Sequence, residues 1–254
     1  MKKHLTPFLA SIRNNGFAFG LFLLLWAICS VFVPAYMIPA PWKVLQQSAR
    51  SVPPDFWRHF GLTCYRTLAG FLCAFGGGTF CGVVAFEFRA IPYFNTLFAL
   101  FEVIPGIILG VIFLLLFGVG SSVPIALVAF LTFPAIAINT AHGLAKKSGL
   151  LEQYVRSIGG RKEHILKYIY LPVLIPTFQS NLTIGFSLSL KVVVLGEFIG
   201  SQDGIGYLLN LSGIYFKMDA VFFYLTVILL LMMSFQVAQQ ILFSVFWGKY
   251  FYPE

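Results

Sequence analysis

The chain has 254 residues, 59% of them hydrophobic and only 10% charged, and its mean hydropathy of +0.86 places it outside the range of soluble domains. A bilayer core of about 30 Å takes about 20 helical residues per crossing, so six crossings use about 120 residues and leave no room for an appended soluble enzyme domain. The formal charge of +8 requires no nucleic-acid partner, because loop asymmetry and anionic lipid account for it.

In chain order, Lys2 and Lys3 precede an apolar run in the manner of a signal peptide. The run from Phe17 to Val33 is long enough to span, however, and reaches Pro34 without a small-residue cleavage pattern, so a retained first helix is expected. The stretch from Pro34 to Gly61 is the least apolar of the chain. Within it Trp42, Leu45, Gln46 and Ala49 recur at helical spacing, which predicts a short amphipathic helix at the outer interface. Trp26, Trp42, Trp57 and Trp247 fall near predicted interfaces, as in an aromatic belt. Cys29, Cys64, Cys73 and Cys81 lie in or beside apolar runs without metal-type spacing and are read as packing residues.

Asp, Glu, Lys and Arg are missing from residues 14–42, 67–86, 103–145, 168–190 and 220–248. The 43 residues from Val103 to Ala145 suffice for two crossings around a turn at Gly118–Pro124. The expected spans are about 17–33, 62–86, 93–117, 123–141, 172–197 and 221–245, in one transmembrane domain covering 1–254. The fold class is all-α, since alternating barrel strands do not give continuous apolar runs of this length.

Six of the 17 basic residues, Lys146, Lys147, Arg156, Arg161, Lys162 and Lys167, sit in the loop 142–171. Placing that loop in the cytoplasm also places Lys2, Lys3, Arg13, Arg89 and Lys249 there, so both termini are expected to be cytoplasmic. Inside this loop Leu150, Leu151, Tyr154, Val155 and Ile158 fall on one helical stripe. Gly159 and Gly160 follow, and Ile165, Leu166 and Ile169 form a second stripe that ends at Leu171-Pro172. This is a helix, a glycine turn and a second helix. Its spacing alone fits a docking element and a helix resting on lipid equally well.

The segment from Leu151 to Gly160, with Leu171-Pro172 beyond it, resembles the coupling motif of the integral membrane subunits of ATP-binding cassette (ABC) importers. That pattern is a Glu-Ala-Ala triplet with a glycine six residues after the Glu and Leu-Pro thirteen after the glycine. With Gly159 as the glycine, the triplet falls on Gln153, Tyr154 and Val155. Gln replaces the acidic residue, with Glu152 adjacent, and Tyr replaces a small one. Ile104-Pro-Gly106, Phe117-Gly-Val-Gly120, Phe133-Pro-Ala135 with Asn139-Thr-Ala-His-Gly143, and Gly196-Glu-Phe-Ile-Gly200 leading to Gly204-Ile-Gly206 occur in the order of one branch. That branch resembles the nitrate, sulfonate and taurine permeases.

The resemblance implies a six-helix subunit that works as a homodimer in a bacterial cytoplasmic membrane. Its implied partners are a cytosolic ABC ATPase dimer and an extracytoplasmic solute-binding protein. No Gly-x-x-x-x-Gly-Lys sequence occurs in the chain, so ATP and Mg are expected on the partner ATPase and no cofactor on this one. The implied coupling residues are Leu151, Glu152, Gln153, Tyr154, Val155, Arg156, Ile158, Gly159, Gly160 and Arg161. Glu197 and the glycines Gly204 and Gly206 are expected at the external mouth, as a gate, with a plain surface loop as the other reading.

Ionisable residues within spans are the second place to look for function. Arg66 and Glu197 stand near the outer ends of their helices, where snorkelling to water explains them without a functional role. Lys191 lies deeper, and its readings are an interhelical ion pair with Glu102, a positive centre in the translocation path, or a lipid-facing lysine that snorkels to the interface. Asn139 is placed to hydrogen-bond across helices. His142 has no second ligand at metal spacing, and no catalytic set is present. An ion-gradient-driven secondary transporter or a vitamin-uptake membrane component is the rival class, although no inverted repeat supports it. Small organic anions and vitamin precursors both remain open as solutes.

Overall fold

The computed structural model describes the chain from Lys2 to Phe251, with side chains described at residues 16–17, 19–46 and 52–243. The side chains of Lys2, Lys3, Arg13, Ala49, Arg50, Trp247 and Lys249 lie outside the described residues. The elements are α1 (Lys2–Phe32), α2 (Pro41–Ser51), α3 (Phe56–Glu87), α4 (Ile91–Glu102), α5 (Gly106–Phe117) and α6 (Ser122–Ala145). They continue with α7 (Gly149–Ser157), α8 (Lys162–Ile165), α9 (Leu171–Gly200), α10 (Ile205–Ile214) and α11 (Met218–Phe251). No strand occurs among the described residues.

The core is the mutual packing of α3, α6 and α9, and small residues let these helices approach. Gly70, Ala74, Gly78 and Gly82 recur every four residues along the buried face of α3, so they form a ladder of small side chains on one side of the helix. A Cβ at Gly78 would stand 2.9 Å from the Phe133 carbonyl of α6, and one at Gly82 would stand 2.5 Å from that of Ala137. Gly196 and Gly200 of α9 admit Pro124 and Val123 at the start of α6 in the same way. Val123, Leu127, Val128, Val192 and Val193 fill the outer part of this core, and Phe71, Ala74, Ile136, Phe186 and Leu190 fill a second cluster.

Among the described residues, four helical segments are long and apolar enough to cross a membrane: Phe56–Glu87, Ser122–Ala145, Lys162–Gly200 and Met218–Phe243. Lys162–Gly200 runs 39 residues through α8, a wide turn at Leu166–Tyr170 with i→i+5 hydrogen bonding, and α9. The single span expected at 93–117 is instead two helices, α4 and α5, bent by 80°. The cause lies in Ile104-Pro105-Gly106. Proline offers no N–H and disfavours helical geometry at the residue before it, and Pro105 itself is extended, with φ −60° and ψ 130°. Among the described residues, α1 contributes the apolar stretch Phe19–Phe32, and α10 is a shorter apolar helix.

A helix stands at Pro41–Ser51, where amphipathic spacing predicts one. Trp42 and Trp57 are exposed there, but Trp26 is buried. It donates to the Pro39 carbonyl at 2.9 Å and stacks on Phe222 of α11, so it fastens α1 to the bundle and is not part of a lipid-facing belt.

Candidate functional site

Two constellations gather the polar chemistry of the fold. The first is built on α3, where His59, Thr63 and Arg66 fall one turn apart on a single face. Arg66 is 1% exposed and Glu197 of α9 is fully buried. Arg66 Nη1 donates to Glu197 Oε1 at 3.0 Å and to the Asp203 carbonyl at 2.9 Å. Its Nε and Nη2 donate to Ser121 Oγ at 3.0 and 2.9 Å, and Nη2 also pairs with the Asp203 carboxylate. The snorkelling expected for Arg66 and Glu197 is therefore corrected. The two side chains point inward at each other, because paired burial leaves neither charge unsatisfied.

Glu197 also organises the start of α10. Its carboxylate accepts from Thr63 Oγ1 at 2.9 Å and from the Gly206 N–H at 2.9 Å. The Ile205 N–H donates to Thr63 Oγ1 at 2.8 Å, and the Gly204 N–H donates to His59 Nδ1 at 2.9 Å. The first amides of α10 thus meet a carboxylate, a hydroxyl and an imidazole, which satisfies groups that a helix cannot bond internally. Gly204 has φ +102°, and a Cβ there would lie 2.2 Å from the Glu197 carboxyl carbon. This pair of constraints explains glycine at that position. Asp203 lies in the connecting loop. Burial disfavours its charge, but the Arg66 guanidinium, then Ser201 Oγ and Arg58, outweigh that and hold the carboxyl below its usual range.

The structure buries Glu197, Gly204 and Gly206 against one another in this node. Glu102 and Lys191 are both exposed, and among the described residues neither has an ion-pair partner, so the pair weighed between them is not formed. Asn139 donates to Ser180 Oγ at 3.1 Å and to Asn181 Oδ1 at 2.7 Å, bridging α6 and α9. His142 Nε2 meets Asn95 Nδ2 at 3.0 Å.

The second constellation is the segment from Lys146 to Tyr170. Ser148 caps α7, accepting from the Leu151 N–H at 3.3 Å. At its other end the Gly160 N–H reaches the Val155 carbonyl at 2.8 Å and the Gly159 N–H reaches that of Arg156 at 3.1 Å. With Gly159 at φ +81°, this is a Schellman termination, and it explains why two glycines follow Ile158. Leu150, Leu151, Tyr154 and Ile158 are 56–79% exposed, and Gln153 and Arg161 are exposed beside them.

The opposite side of α7 is tied down. Lys147 Nζ donates to Glu152 Oε2 at 2.7 Å and to the Tyr170 hydroxyl, and it lies 5.1 Å from the Phe86 ring and 4.5 Å from the Tyr170 ring. Arg156 donates to the other Glu152 oxygen at 2.8 Å. Burial would lower the Lys147 pKa, but Glu152 and Tyr170 raise it further, to a net value above the usual lysine range. Hydrogen bonds from Lys147 and then Arg156 hold Glu152 below the usual carboxylate range. Sequence spacing marked Glu152 and Arg156, but it missed Lys147, Tyr170 and Phe86 as their anchor. The polar stripe His59, Thr63, Arg66 was the available sign of the first constellation.

Residues 68–244 match the family of binding-protein-dependent transport system inner membrane components, and the chain belongs to it. It is a multi-pass inner-membrane permease of the ABC importer class. It is 25% identical over 191 residues to a formylaminopyrimidine transport permease of Halalkalibacterium halodurans, covering 74% of this chain and 76% of that one. A riboflavin transport system permease of Chloroflexus aurantiacus is 24% identical over 206 residues, covering 80% and 77%. The taurine transport system permease of Escherichia coli is 19% identical over 204 residues, covering 77% and 74%.

Proposed function

We propose that two copies of this chain form the membrane pathway of an ATP-driven importer. In this reading, an extracytoplasmic binding protein delivers a small solute, and a cytosolic ATPase dimer supplies the motion. ATP and Mg reside on that ATPase, and this chain is not an enzyme. The termini and the segment 142–171 face the cytoplasm. The solute is a small organic anion or a vitamin precursor; the relatives' names range over formylaminopyrimidine, aliphatic sulfonates, riboflavin, taurine and carnitine.

The observation that carries the reading is the division of α7 into two faces. Leu150, Leu151, Tyr154 and Ile158 are presented outward with no cover among the described residues, while Lys147 and Glu152 fix the inner side to the ends of α3 and α9. An apolar stripe of this kind is suited to a groove on the ATPase. Arg156, Arg161 and Lys162 border it and match acidic rims. Because Lys147 holds α7 against Tyr170 and Phe86, a displacement of α7 would pass into both long helices without slack.

The test is Tyr154→Asp in the assembled transporter in proteoliposomes. The charge removes apolar area at the centre of the stripe and touches none of the α7 anchors. ATP-driven uptake should fall at least about tenfold, equivalent to about 1.4 kcal/mol of docking energy, while the permease still inserts and purifies. Unchanged uptake refutes this docking surface.

A further inference from the structure

Between Lys167 and Glu197, Lys191 is the one ionisable side chain of α9. It stands nine residues before Gly200, roughly 13 Å along the axis at the helical rise. That distance exceeds the reach of a lysine stem, so the ammonium does not simply escape to the outer surface. The side chain is exposed on the protomer. A charge exposed at this depth faces water or a partner, because exposure to lipid is costly.

The rest of α9 defines that face. Gly185 packs on Phe71 and Ile136, Ser189 meets Thr132 at 3.3 Å, and Phe186 stacks on Phe235, so α3, α6 and α11 occupy other sides of the helix, while α5 and α10 pack on its outer part beyond Lys191. On the free side, Ile184 and Phe198 are exposed, Ser187 is half-buried, and Ser180 continues the stripe toward Asn139. Between the apolar Ile184 and Phe198, Ser187 and Lys191 give this face a polar strip that is costly to expose to lipid. The start of α5, just past its break with α4, packs on the same side of α9. Gly106, the first residue of α5, packs against Leu195, one turn beyond Lys191. Glu102, Val103, Ile104 and Pro105 are all exposed at that break, and non-helical backbone at membrane depth persists where it lines a water-filled cavity or is buried in protein.

We infer that Lys191 is the anion-contacting residue of the translocation path, meeting the carboxylate, sulfonate or phosphate group of the transported solute. This rests on the importer reading and concerns a point that reading leaves open, the charge of the solute. Two copies of the chain would place two such ammonium groups along one passage. Ser187, one turn away, adds a hydroxyl to the same wall.

The test measures local water access and charge preference, and needs neither ATP nor an identified solute. In the full-length chain with its four cysteines changed to serine, Ser187→Cys and separately Lys191→Cys are exposed to two thiol reagents in membranes. These are the anionic 2-sulfonatoethyl and the cationic 2-trimethylammonioethyl methanethiosulfonates. Both cysteines should react, whereas Leu72→Cys on the outer side of α3 should not. At Ser187→Cys the ratio of anionic to cationic rates should fall at least about tenfold when Lys191→Gln is added. Lys191→Arg and Glu102→Gln should preserve the anionic preference. Unreactive cysteines at both positions overturn the placement of this face on the path. Reaction without charge preference, or a preference that survives Lys191→Gln, overturns the anion assignment. Neither result bears on the Tyr154→Asp uptake test, so the importer reading fails or stands separately.

Discussion

Arg66 and Glu197 are 131 positions apart in sequence and within hydrogen-bonding distance in the fold, and each makes the other tolerable in a dry environment. Removing one partner of a buried ion pair typically costs about 3–5 kcal/mol, whereas replacing both with apolar groups costs far less. Arg66→Ala should therefore lower the thermal midpoint of the purified permease strongly, and Arg66→Met with Glu197→Met should lower it less than Arg66→Met alone. An additive double-mutant cycle would show that the two groups act independently. Gly204→Ala should be destabilising for a different reason, since its Cβ meets the Glu197 carboxylate and its φ is left-handed. Little of this was legible in the sequence. Periodicity reports which face of a helix a residue occupies, but not what lies opposite, so Arg66 and Glu197 read as two separate charges near helix ends.

The elements were more legible where a local signal existed. Ser148, Gly159 and Gly160 bracket α7 by capping chemistry that acts within a few residues, and spacing suffices to find it. The α4–α5 break carried a local signal too, Ile104-Pro105-Gly106, but uniform apolar composition on both sides made one continuous crossing the simpler reading. The two α7 glycines should respond differently to substitution. Gly159→Ala meets no atom within 4 Å and suffers only from φ +81°, a cost of about 1–2 kcal/mol. Gly160→Ala has ordinary φ, but its Cβ would stand 2.4 Å from Val155 Cγ1 and 2.5 Å from the Val155 carbonyl oxygen, so it should loosen the α7 terminus more. Amide exchange at Ile158 to Arg161 measures both.

The α7 anchor also has a defined pH window. Glu152 has a depressed pKa, so its contribution is complete above the usual carboxylate range and is lost as pH falls through the depressed value. Lys147 has a raised pKa, so its contribution is complete below the usual lysine range and is lost only as pH rises through the raised value. Exchange protection of α7 should therefore stay constant across the neutral range and decline at both extremes. Lys147→Gln should flatten the alkaline limb while leaving the capped ends of α7 in place. A protection profile that changes between pH 6 and 8, where neither group titrates, would mean that another contact anchors α7.

At the scale of the whole molecule, composition alone marked a membrane protein, because 59% hydrophobic residues with 10% charged cannot be accommodated around a single soluble core. Orientation follows from where the remaining charges lie. Six basic residues in the segment 142–171 should hold it in the cytoplasm. The three helical segments Phe56–Glu87, Ser122–Ala145 and Lys162–Gly200 then fix the side reached by each connection, because α6 ends and α8 begins at that segment. The loop at Gln202, at the far end of α9, must emerge on the opposite face. In a cysteine-free background, Gln202→Cys, which is exposed, should be labelled in intact cells by a membrane-impermeant maleimide. Gln153→Cys on α7, equally exposed, should be labelled only after the membrane is opened. The reverse pattern would put the apolar stripe of α7 outside, away from any cytosolic ATPase, and the proposed drive would then have no means of reaching the path.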